Sequence, residues 1–214
     1  MSQTKKLFYS LLLNICLIIP FFGQSQLKPI DVFNTHKIIF YGYDFSCFRY
    51  VDAKRYGQDM KLYIFQLIGG VQEKIGETQF KKWMSKDTVL FNFDESTRLN
   101  KSINNDAVIV INKTSLPEDS VQKHLKNYNT IQKSGIGHLF LPECYDDLTG
   151  SLSVYSVFFD IETKQILLLN WAAFHDLGPV NRFGALKKPM LEIIEYLDRD
   201  IYQEKNKILK NKTK

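Results

Sequence analysis

The residues whose types and spacing most suggest chemistry are Asp160 and Glu162, in the stretch Val157 to Lys164, "VFFDIETK". An Asp-x-Glu closing an apolar strand sets two carboxylates on one face, as a two-metal nuclease needs for its first pair of ligands. Asp176 and the spacing Tyr196-x-x-x-Asp200 complete a superficial set. Chain order argues against it. Such a strand opens a nuclease domain, whereas only 54 residues follow Asp160 here. Ile193, Leu197 and Ile201 already explain the last segment as one face of a helix. Asp160 to Lys164 therefore reads as a polar turn between two apolar strands, and nucleic acid is not an expected partner.

Other chemistries leave fainter traces. There is no His-Glu-x-x-His, no Gly-rich phosphate loop and no Gly-x-Ser-x-Gly elbow. His36, His124, His138 and His175 are scattered without ligand spacing, so no metal and no cofactor are expected. Cys47 and Cys144 lie at the ends of expected strands. An even pair can bridge in an oxidising compartment, and two small buried thiols are equally ordinary there. Either cysteine together with His138 would supply the parts of a Cys-His hydrolase. The binding candidates are Asp44 and Ser46, in the turn after the first strand, and Asn92 and Asp94, after the second. Ligands of α/β sheets gather at the carboxyl ends of strands, although Asp and Ser at such places also cap turns.

These residues must be positioned by the elements around them. "KIIFYGYDF" (37–45) is apolar and aromatic enough for a mostly buried strand, with Gly42 near its exit. Met60, Ile64, Leu67, Val71 and Ile75 share a helical face, weakened by Gly69 and Gly70. "TVLFNF" (88–93) and "AVIVI" (107–111) read as strands, with a polar loop from Asp94 to Asp106. Ser115-x-x-Glu118 has capping-box spacing and Pro117 suits a first turn, so a helix follows with Val121, Leu125 and Tyr128 as its buried stripe. Strands are expected at 136–145, 151–161 and 165–174, the last two as a hairpin. In that hairpin Tyr155, Val157, Phe159 and Ile161 should face the core, and Val154, Ser156, Phe158 and Asp160 a more open side. A helix bearing Leu186, Met190, Ile193, Leu197 and Ile201 ends the chain, with Pro189 in the first turn of its main segment. The fold class is α/β (α+β): one mixed sheet of about six strands flanked by helices, with a late hairpin and a C-terminal helix.

The ends of the chain carry their own signals. Residues 1–25 have the basic start, apolar run and small-residue exit of a secretory leader. Its sixteen apolar residues fall short of the roughly 20 that a spanning helix needs, so no transmembrane span is expected after leader removal. Asn14 and Ile15 before Cys16 are not the small residues of a lipid-anchoring signal. Residues 26–204 form a single mixed α/β domain, followed by a basic tail at 205–214. The net charge of +5 is an end effect. Without the two leader lysines it is +3, and without the five tail lysines the body stands near −2. A charge gathered in a terminal tail is a solvated end rather than a nucleic-acid surface.

The run from Ile131 to Trp171, "SGIGHLFLPECYDDLTGSLSVYSVFFDIETKQILLLNW" after a helix, resembles the small α/β domain of several envelope proteins. These are the N-terminal domain of the translocation protein TolB, the curli-secretion lipoproteins and the lipoprotein activators of penicillin-binding proteins. The "YGYDFS" start, with Phe183-Gly184-Ala185 and Lys188-Pro189, is similar to uncharacterised secreted proteins of Gram-negative bacteria. The resemblance implies binding or assembly rather than catalysis. The leading expectation is thus a periplasmic or secreted, non-enzymatic domain that binds a protein or other envelope component. The alternative is a hydrolase whose site is assembled only in three dimensions. A deep pocket holding two or more buried ionisable groups with shifted pKa values would favour the enzyme, and a flat apolar patch above about 600 Å² the binding domain.

Overall fold

The alternation of apolar strands and amphipathic segments resolves into one seven-stranded mixed sheet with helices on both faces. The structure, a computed structural model, describes residues 26–51, 60–175 and 184–211. The leader, Asp176, Phe183 and residues 212–214 of the tail lie outside the described residues. In chain order the elements are α1 (Asp31–Asn34), β1 (Lys37–Tyr43), β2 (Arg49–Val51), α2 (Met60–Gln72), α3 (Glu77–Trp83), β3 (Thr88–Phe91), α4 (Asp94–Lys101), α5 (Asn105–Val108), β4 (Ile109–Val110), α6 (Glu118–Lys126), β5 (Ile136–Asp146), β6 (Ser151–Asp160), β7 (Ile166–Phe174) and α7 (Gly184–Asn211).

β5 organises the sheet. Along one edge it pairs in parallel first with β1 and then with β2; along the other it pairs antiparallel with β6 over its whole length. β3 lies outside β1 and β4 outside β2, both in parallel, and β7 completes the hairpin with β6. The chain between β1 and β2, residues 44–48, therefore interrupts a strand line that β5 spans without a break. At the end of β1 the register with β5 shifts between Phe40 and Tyr43. Gly42 sits there at φ +86°, and a side chain would meet the Phe93 ring at 2.8 Å, so only glycine fits.

Two cores sandwich this sheet. On one face Ile38, Phe40, Phe140, Val154 and Phe158 pack with Met60, Ile64, Leu67 and Val71 of α2, Phe80 of α3 and Met190 of α7. On the other, Ile39, Tyr41, Leu139, Val157 and Phe159 pack with Val121 and Leu125 of α6 and with Tyr128 just beyond it. The Tyr43 hydroxyl donates to the Met190 carbonyl (2.7 Å), tying α7 to β1.

Several sequence expectations change. All ten residues of β6 are buried, so the side of Val154, Ser156, Phe158 and Asp160 is no open face; it lines the larger core. A strand flanked by strands and covered on both faces loses its polar-apolar alternation. The polar stretch from Asp94 holds α4 and α5 instead of a loop, and of 107–111 only Ile109 and Val110 are strand. Neither α3 nor β2 was expected. The Ser115 capping box does not form: Pro117 precedes α6 without a side-chain cap. The approach to α6 is fixed from the sheet instead, where Glu143 accepts the Leu116 N–H (2.5 Å) and the Tyr155 hydroxyl donates to the Leu116 carbonyl. Pro189 lies inside α7, in its second turn, and is buried.

Asp160 is buried at the hairpin turn, where its Oδ1 accepts the N–H groups of Glu162 and Thr163. Its carboxylate is thus used by the turn. Phe159 is fully buried against Tyr41 and Tyr128, and its ring fills the space that a side chain at Gly137 would need. We predict that Phe159→Ala costs roughly 3–5 kcal/mol. Asp160→Asn keeps the accepting Oδ1 and should cost under about 1 kcal/mol. Thermal melts with and without manganese check both, and a metal-dependent rise that Asp160→Asn abolishes would revive the nuclease reading.

Candidate functional site

β1 delivers its last residues into the gap that β5 bridges, and a polar cluster forms there. Asp44 is fully buried. Its N–H donates to the Phe140 carbonyl, and its Oδ1 accepts the Ser46 N–H (2.9 Å), folding the chain back on itself. A turn closed by Phe48 N–H to the Phe45 carbonyl then places Ser46 and Cys47 at its tip. From beneath, Asn100 of α4 accepts the Phe45 N–H (2.7 Å) and donates to the Tyr43 carbonyl (2.9 Å), both in the buried interior. The Arg49 guanidinium donates to the carbonyls of Cys47 and Phe48. Side chains thus fix the turn from both sides.

α6 brings His124 to this turn. Its Nε2 lies 2.7 Å from Asp44 Oδ2 and its Nδ1 lies 3.8 Å from Cys47 Sγ. One imidazole thus engages a buried carboxylate on one nitrogen and a half-buried thiol on the other. Burial pulls the imidazole down, but hydrogen bonding and charge from Asp44 and Cys47 outweigh it, and His124 is pushed up to about 10. Beside it, Glu95 accepts two hydrogen bonds from Arg98 and one from the Asn129 N–H. Arg98 holds Glu95 below the usual carboxylate range, against the opposing effect of burial. Each carboxylate thus has its own cationic partner, Asp44 in His124 and Glu95 in Arg98.

Of the residues singled out from sequence, Asp44 and Ser46 belong to this cluster, although the Ser46 hydroxyl has no partner among the described residues. Asn92 and Asp94 do not join it. The Asn92 amide donates to Gln132 and its carbonyl accepts the Asp94 N–H, which makes them the entry to α4. The Cys47–Cys144 bridge is not made; both are free thiols. Burial pushes the Cys144 thiol up to about 11. His138 is not a partner of either cysteine. It is buried among Phe40, Phe140 and Phe158, donates to or accepts from Ser156 Oγ, and is pushed down to about 3 by burial. His124 takes that role. The sequence held a signal for it, since position 124 lies three residues from Val121 and four from Tyr128, beside the buried stripe. A groove of about 670 Å³ opens at the other end of β1 and β5, lined by Lys37, Ile39, Leu90 and Lys133 among others, and shares no residue with the cluster.

No protein-family model and no curated protein matches this chain.

A pH signature follows from His124. Its folded value of about 10 exceeds the ordinary 6.5. The stability contributed by protonated His124 on Asp44 is therefore complete below pH 6.5 and lost as pH rises toward 10. Lys86, pulled down to about 8 by burial and by Lys205, acts in the opposite sense above pH 8. The difference between wild type and Asp44→Asn isolates His124: we predict that the gap in melting temperature is widest near pH 6 and narrows toward pH 10. A gap independent of pH would remove the ion pair.

Proposed function

We propose that the Asp44 turn is a thiol active site of the hydrolase or acyl-transfer class. Cys47 is the nucleophile, His124 the proton carrier and Asp44 the orienting carboxylate. The observation that carries this reading is the single imidazole bonded to Cys47 Sγ through Nδ1 and to buried Asp44 through Nε2. Nucleophile, base and orienter in series are the parts that covalent acyl transfer requires.

The steps balance on these groups. Sγ bonds the acyl carbon as its proton passes through Nδ1 of His124 to the leaving group, whose bond to that carbon breaks. Water then gives a proton to Nδ1 as its oxygen attacks the thioester, releasing the acid and restoring the pair. Asp44 stabilises the imidazolium and fixes its orientation throughout, while Asn100 holds the turn that carries the nucleophile. The leader read in residues 1–25 supports a periplasmic or secreted setting. The large apolar side chains exposed among the described residues, such as Leu62, Leu90, Ile111, Leu148 and Trp171, come from different elements of the fold.

The expected result with limiting iodoacetamide is alkylation of Cys47 well before Cys144, read by peptide mass. With para-nitrophenyl acetate, an acetyl group should accumulate on Cys47 in a burst. His124→Gln should slow that burst on the order of 100-fold, and Cys47→Ser should abolish it while leaving the melting temperature close to wild type. A burst that survives Cys47→Ser, or a Cys47 reactivity indifferent to His124→Gln, would overturn the proposal.

A further inference from the structure

Among the described residues β7 has a hydrogen-bonded neighbour on one side only, β6. The sheet's other outer strands are short: β3 has four residues and β4 two. β7 has nine, "ILLLNWAAF", with neither charge nor proline. Natural sheets interrupt long bare edges with lysine, proline or a bulge; in β7 the register with β6 shifts once, at Leu167, and runs regularly from Leu168 to Phe174. Only the start of β7 is covered, where Gln122 of α6 donates to the Lys164 carbonyl and accepts the Ile166 N–H. From Leu168 onward no described element pairs with the outer edge.

We propose that this edge pairs antiparallel with β7 of a second copy of the same chain, about a two-fold axis through Asn170. A two-fold axis normal to the sheet sets one residue opposite itself and keeps each face matched to its like. With Asn170 at the centre, Leu169 meets the partner's Trp171 and Leu168 meets the partner's Ala172. Leu168 and Ala172 belong to the α7-side core, and Leu169 packs on the α6 side. Both pairs are apolar, and no like charges meet along the ladder.

Two observations favour that centre. Trp171 is 51 % exposed, yet its Nε1 donates to Glu143 Oε2 (2.9 Å), so the ring is held in place with a face turned to solvent. Asn170 Nδ2 is shut away from water and donates to nothing among the described residues. The last torsion of Asn is soft, so the carboxamide can turn to the edge, where a facing carboxamide offers both a donor and an acceptor. A second copy also fits better than a foreign strand. An added peptide would present a new bare edge, whereas self-pairing about a two-fold leaves none.

Sedimentation velocity of residues 26–214 at roughly 100 µM, far above a micromolar Kd, should show a dimer. Asn170→Asp sets two carboxylates face to face and should give a monomer with an unchanged circular-dichroism spectrum. In a Cys47→Ser background, Asn170→Cys should form disulfide-linked dimers on oxidation, because self-opposed residues of an antiparallel pair lie within disulfide reach. Leu62→Cys, exposed on α2, should not. A monomeric wild-type chain overturns the proposal, as does a dimer that Asn170→Asp leaves intact and Asn170→Cys fails to cross-link. If Asn170→Asp does not fold, the cross-linking result alone decides.

Discussion

Two-sided burial of β5 and β6 is the constraint on which the rest of the structure depends. Strands with neighbours along both edges and helices over both faces can place no backbone group or side chain in water. Every N–H and carbonyl must find a partner in the ladder, and every side chain must fit a core. Aromatic rings dominate the result: Phe40, Phe140, Phe158 and Phe80 on one face, Tyr41, Tyr128 and Phe159 on the other. The few polar groups inside are bound to particular tasks. His138 meets Ser156, Glu143 anchors both the Leu116 loop and Trp171, and Asp160 closes the hairpin.

How far the sequence showed this fold depended on how strictly each segment was constrained. The strands of 136–146 and 151–160 were legible because long apolar and aromatic runs between turn residues admit few other readings. The helix at Met60 was legible from the spacing of its buried face. The hairpin faces were misread because alternation tells the two sides of a strand apart only when one of them meets water. α4 was missed for a related reason. "DESTRLNK" has no apolar stripe, and its buried positions are Glu95, Ser96 and Asn100, which pack through hydrogen bonds. Periodicity of hydrophobicity cannot register a helix held by polar contacts.

The candidate site divides along the same line. Asp44 and Ser46 were legible because they follow the first strand, where turn chemistry and ligand chemistry both concentrate. Their partner was not, since 80 residues separate Asp44 from His124 and only the docking of α6 brings them to 2.7 Å. Asn92 and Asp94 are instead taken up by Gln132 and by the entry to α4, although β1 and β3 are parallel neighbours. Strand ends identify the neighbourhood of a site. Helix packing selects which of its residues meet.

The interruption between β1 and β2 decouples the chemistry of one position from the stability of the fold. β5 runs unbroken past the gap, and Asn100 and Arg49 brace the turn through its backbone, so the fold asks little of the side chain at position 47. Cys47 is half-buried at the tip and packs against the α6-side core from its margin, without being one of its fully buried members. Exchange there alters chemistry at little expense in stability, whereas Asp44, fully buried and shared between the turn and His124, is free to change only if both are given up. On the proposed reading, one substitution at position 47 would remove the nucleophile while leaving the Asp44 turn and its contact with His124 in place.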